Sequence, residues 1–73
     1  MRKLEIPKED FLAYAMYLGD RRRYRAGWKW VVFKVNYGEW ADRSVRFKNG
    51  IELQPQKPTD DFLQWVDEYQ NKA

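Results

Sequence analysis

Apolar positions recur along this chain at two different spacings, and the spacings predict its elements. Phe11, Leu12, Ala15, Met16 and Leu18 recur at helical intervals. They follow Pro7, whose missing N–H costs nothing in a first turn, and Glu9 and Asp10, which suit the positive end of a helix dipole. Gly19 is a fitting stop. A first helix over 7–19 results. Phe62, Trp65, Val66 and Tyr69 stand at i, i+3, i+4 and i+7, one face of a 3.6-residue period. Thr59 can cap that run, Asp60 and Asp61 fill its first turn, and Asp67, Glu68, Gln70 and Asn71 lie off the stripe. The last helix is expected over 59–71.

The middle alternates differently. Val45 and Phe47, then Asn49-Gly50, then Ile51 and Leu53 form two alternating runs around a two-residue turn. Asn-Gly tolerates positive φ at both positions, so a hairpin near 44–54 is predicted. Pro55-Gln56-Lys57-Pro58 is a connection and too short for a domain boundary. Residues 28–37 support two readings. They are rich in β-branched and aromatic residues, which favours a strand. Trp28, Val31, Val32 and Val35 also fit one helical face, and periodicity does not choose between the two.

Composition narrows the class. The 73 residues make one small domain. A chain of this size buries only about 60 % of the surface its unfolded form exposes. It has no cysteine and no histidine, so disulfides, thiolate zinc sites and Cys- or His-based catalysis drop out. Ser44 is the single serine, and a hydroxyl without a base is inert at neutral pH. Asp60-Asp61 and Asp67-Glu68 are adjacent on a helix and do not converge on one ion. No enzyme activity, metal or cofactor is expected. The four Trp, five Tyr and four Phe must supply the core, since each buried ring removes roughly 150–250 Å² from water.

Charge changes the picture most. The net charge of +3 is uneven: residues 1–48 hold 12 Lys/Arg against 6 Asp/Glu, and residues 49–73 hold 2 against 5. Arg21-Arg22-Arg23-Tyr24-Arg25-Ala26-Gly27-Trp28-Lys29-Trp30 places five cations and three large aromatics in ten residues. A core has no use for that much clustered charge, whereas a phosphate-bearing polymer does. Guanidinium forks suit phosphate oxygens. Lys34, Arg43, Arg46 and Lys48 can extend the patch, and Tyr24, Trp30 or Trp40 can stack on bases, worth roughly 1–3 kcal/mol per base. The candidate nucleic-acid site is therefore Arg21, Arg22, Arg23, Tyr24, Arg25, Trp28, Lys29, Trp30, Lys34, Arg43, Arg46 and Lys48. An acidic protein surface is the second partner the composition fits, because Arg, Tyr and Trp dominate interface hot spots.

Residues 11–40 resemble a segment from the C-terminal region of RadD-type superfamily 2 DNA helicases. The likeness rests on Tyr24, Arg25, Gly27 and Trp28, then Phe33-Lys34, then Tyr37-Gly38-x-Trp40. Pro55, Pro58 and Trp65 resemble that family's proline-spaced approach to a last helix. The chain departs from it at Ala41, where proline is usual, and at Lys29, Trp30, Val31 and Val32, where the family has mostly Ala and His. No Gly-x-x-x-x-Gly-Lys-Ser/Thr phosphate loop occurs, so the likeness is to the accessory segment alone. The resemblance implies a helix over 26–37, with Gly38 as its cap, and an association with DNA helicase or repair activity. Two helices joined by a tight basic turn also resemble a helix-turn-helix in shape, with Arg25, Trp28 and Lys29 at the leading end of the second helix.

The expected fold is a mainly α, small three-helix domain with a short β-hairpin before the last helix. The alternative is an α+β fold in which 28–37 joins the hairpin as a three-stranded antiparallel sheet. The expected function is a nucleic-acid-binding accessory module of helicase, repair or phage DNA metabolism, contacting backbone phosphates, of DNA more than RNA. The alternative is a small interaction module or inhibitor docking on an acidic protein. Met1-Arg2-Lys3-Leu4-Glu5 shows no signal-peptide core, and no apolar run nears the ~20 residues of a membrane span. No membrane partner and a cytoplasmic location are expected.

Overall fold

A computed structural model describes residues 3–48 and 50–71. Among them the chain forms α1 (Lys8–Arg21), α2 (Trp28–Tyr37), β1 (Phe47–Lys48), β2 (Ile51–Glu52) and α3 (Asp60–Gln70). This is the expected mainly α domain with a hairpin before its last helix. Residues 28–37 are helical, so the three-stranded alternative does not form.

α1 is the central element. Phe11, Leu12, Ala13, Ala15 and Leu18 are all buried in it, against Val32 and Phe33 of α2 and Phe62, Trp65 and Val66 of α3. The ring of Phe11 meets Phe33, Tyr37, Phe62 and Trp65 edge-on, with centroids 5.1–6.1 Å apart. That arrangement sets the positive edge of one ring against the negative face of the next. The small Ala13 lets the proline-spaced connection cross α1, where the Gln56 N–H donates to the Ala13 carbonyl at 3.2 Å.

Two expectations about the helices are corrected. α1 does not stop at Gly19 but continues to Arg21. The reversal comes at Arg23, whose φ is +55°, and the Tyr24 N–H closes it on the Gly19 carbonyl at 2.8 Å. Gly19 lies inside the helix with the Trp28 indole beside it; a Cβ there would lie 3.5 Å from the ring, an ordinary contact distance. The buried face of α2 also differs from the apolar stripe. Val32, Phe33 and Asn36 are inside, while Val31 and Val35 are 45 % and 46 % exposed. Asn36 explains the rotation. Its Oδ1 accepts from the Leu4 N–H at 2.7 Å and its Nδ2 donates to the Leu4 carbonyl at 2.9 Å, so a polar side chain is buried with its partners supplied. The Tyr37 hydroxyl donates to the Ile6 carbonyl at 2.9 Å, and burial pushes its phenol up to about 12. The N-terminal segment thus fixes which side of α2 faces in.

The caps and the hairpin follow local rules. Gly38, at φ +77°, ends α2 with its N–H on the Lys34 carbonyl. Thr59 Oγ1 accepts from the Phe62 N–H at 3.3 Å and starts α3. Gly50 has φ +77°, as the predicted turn requires, and Asn49 lies outside the described residues. Phe47 pairs with Glu52 and Lys48 with Ile51. Cross-strand partners share a face, so this register puts Phe47 and Ile51 on opposite faces. Leu53 is buried, whereas Phe47 and Ile51 are 44 % and 69 % exposed. Among the described residues no helix is long and apolar enough to cross a membrane.

The position of Gly19 gives a direct check. A Cβ there meets Trp28 at an ordinary contact distance, and alanine exceeds glycine in a helix by about 1 kcal/mol. Gly19→Ala is expected to raise the thermal midpoint by ~4–8 °C, the shift that 1 kcal/mol produces in a domain of this size. A lowered midpoint in a calorimetric scan would show that the indole tolerates no closer neighbour.

Candidate nucleic-acid interface

The turn between α1 and α2 divides the arginine run. Arg21 and Arg22, at the end of α1, line a depression with Tyr17, Lys57 and Pro58. Past the left-handed Arg23, Arg25 lines a different one with Met16, Gly19 and Lys29. Arg21, Arg22, Arg23 and Arg25 are all exposed. None of them enters an ion pair among the described residues, where Lys8 and Glu39 pair at a different place.

Tyr24 sits at the pivot and is held in place. Its hydroxyl accepts from Arg22 Nη1 at 3.1 Å and from Gln70 Nε2 at 2.9 Å, tying the turn to the end of α3. Its ring lies 4.5 Å from that of Trp28. Desolvation pushes the phenol up, but the hydrogen bonds from Arg22 and Gln70 and the Arg22 charge outweigh it and hold the phenol below its usual value. Trp28 is therefore engaged on two sides, by Tyr24 and by Gly19, and is half-buried.

A second group forms between α1, α2 and the hairpin. Lys29 Nζ lies 5.1 Å and the Arg46 guanidinium 4.5 Å from the centre of the Trp30 ring. Both distances fall within the reach of a cation–π attraction. Arg43 joins them around a cleft of about 280 Å³ whose apolar lining includes Leu12, Met16 and Leu53. Glu52 is the carboxylate in that lining. Farther along, Lys34 Nζ lies 4.6 Å over the ring of Trp40, which is 58 % exposed. Lys48 belongs to β1 through its backbone, and its side chain lies outside the described residues.

Asp42 builds the turn that presents Arg43 and Arg46, and the sequence reading passed over it. Its Oδ1 accepts from the Ser44 N–H at 2.9 Å, from the Ser44 hydroxyl, and from the Val45 N–H at 3.3 Å. The Ser44 hydroxyl above all, helped by the two backbone bonds and the Lys8 charge against desolvation, holds the Asp42 carboxyl below its usual value. The Arg46 N–H then donates to the Arg43 carbonyl at 3.2 Å, and the Leu53 N–H to the Arg46 carbonyl at 2.8 Å. In a turn of this pitch residues i and i+3 fall on one side. Asp-x-Ser is the signal that announces such a turn. Lys57, beside Arg21 and Arg22, carries no comparable signal in the sequence.

No family model, curated protein or solved structure matches this chain.

The opposite displacements of Tyr24 and Tyr37 are open to spectrophotometric titration. Phenolate absorbance is expected to begin rising below the ordinary tyrosine range, and Tyr24→Phe should remove that earliest portion. Tyr37→Phe should instead remove the portion near pH 12. An unchanged early rise in Tyr24→Phe would mean that the Arg22 and Gln70 bonds do not form.

Proposed function

We propose that this chain is a nucleic-acid-binding accessory module that contacts backbone phosphates of DNA, with a role beside helicase or repair activity. One observation carries the reading. Arg21, Arg22, Arg23, Arg25, Lys29, Arg43 and Arg46 form no ion pair among the described residues, so their charge has no carboxylate partner there. Unpaired guanidinium groups beside aromatic rings match the demands of a phosphodiester chain. The resemblance of Tyr24-Arg25-x-Gly27-Trp28 and Tyr37-Gly38-x-Trp40 to the RadD accessory segment supports DNA over RNA and a helicase context. With no thiol and no imidazole in the chain, the module acts by binding and not by chemistry. Its place is the cytoplasm, with the DNA it contacts.

Binding to a fluorescent duplex at several salt concentrations tests this. If about five cations meet phosphates, log Kobs falls with log salt at a slope near −4 to −5. Replacing Arg21, Arg22, Arg23 and Arg25 together by Ala is expected to reduce the magnitude of that slope by about 3 and to leave the circular dichroism spectrum unchanged. An unaltered slope would remove the arginine run from the interface. An acidic peptide that competes at equal charge concentration would favour a protein partner.

A further inference from the structure

We infer that the cleft between α1, α2 and the hairpin is a slot for one unpaired nucleobase, so that the module prefers single strands to duplex. This rests on the phosphate-binding reading above and goes further by naming the form of the polymer. The cleft combines three features that an unpaired nucleotide needs. Its ring platform is Trp30, with the planar Arg46 guanidinium 4.5 Å from the ring centre. Its floor is apolar, with Met16 and Leu53 among the lining. Its rim carries Lys29, Arg43 and Arg46 against the single carboxylate of Glu52.

Bases stack on indole rings and on guanidinium planes alike. A base entering here stacks on the outer face of Arg46 or takes its place on the indole, and its phosphate stays within reach of the rim cations. Size points the same way. Small-molecule pockets run roughly 300–1,000 Å³; at about 280 Å³ this cleft suits one heterocycle and its sugar. A base inside a duplex is paired and stacked, and reaches such a cleft only after extrusion, which has its own free-energy cost. The Asp42 turn, closed by its bonds to Ser44 and Val45, holds Arg43 and Arg46 at the rim before any ligand arrives.

The test compares three ligands on the full chain at one salt concentration: a thymidine oligonucleotide, an abasic oligonucleotide with the same number of phosphates, and a duplex matched in phosphates. The thymidine strand is expected to bind roughly 5- to 150-fold more tightly than the abasic strand, the range for stacking of one base. Its binding should quench tryptophan emission. Trp30→Ala should bring the ratio of the two affinities to about one, and Trp30→Phe should keep most of it. If Trp30→Ala fails to fold by circular dichroism, the abasic comparison on the unaltered chain decides alone. Equal affinity for the three ligands overturns the base slot and leaves the phosphate reading standing. No binding to any of them, or tighter binding of an acidic peptide of equal charge, overturns both.

Discussion

The fold depends on the ring of Phe11. It stands on the central helix and receives Phe33 and Tyr37 from α2 and Phe62 and Trp65 from α3, each edge-on to it. One side chain thus joins all three helices. A chain of 73 residues without cysteine has no covalent staple available, and below about 80 residues a single apolar core supplies only a few kcal/mol. Concentrating large rings around one residue is how the aromatic content becomes stability. Tyr14 on Phe62 and Tyr69 on Trp65 extend the same cluster outward along α1 and α3.

Because rings hold the helices together, the cations are left on the outside. Arginine and lysine flank the aromatic core without entering it, and several rest on rings instead of on carboxylates: Lys29 and Arg46 on Trp30 and Lys34 on Trp40. The left-handed Arg23 then decides how the basic run is shared out. It leaves Arg21 and Arg22 near Lys57 and turns Arg25 toward Lys29. What is one cluster in sequence is two in space. The second is joined by Arg43 and Arg46 only because Asp42 closes a turn.

Much of the fold was legible because its signals are local. Thr59 ahead of an apolar stripe and the Asn-Gly hairpin each state a backbone requirement that neighbouring residues satisfy, whereas residues 28–37 fit a strand as well as a helix by local signals alone. The misread features were set from far away in the chain. Asn36 is inside because Leu4, 32 residues earlier, supplies both of its hydrogen bonds; no period within α2 contains that fact. Gly19 read as a stop because glycine usually ends a helix, yet its partner is Trp28 across the turn. The hairpin's turn was clear, but its register splits the apolar residues between faces, which alternation alone does not reveal. At the site, the residue types were legible and the grouping was not: composition names the arginines, and only the reversal at Arg23 sorts them.

Two sets of side chains therefore do separate work, rings that hold the fold and exposed arginines that do not. Equilibrium unfolding in denaturant tests that separation most directly, with Phe11→Ala measured beside the variant in which Arg21, Arg22, Arg23 and Arg25 are alanine. Phe11→Ala should lose about 3–5 kcal/mol, enough to abolish most of the cooperative transition, whereas an exposed arginine should change stability by no more than about 0.5 kcal/mol. A quadruple variant that unfolds as readily as Phe11→Ala would contradict the account, because the arginines would then belong to the architecture and not to a partner.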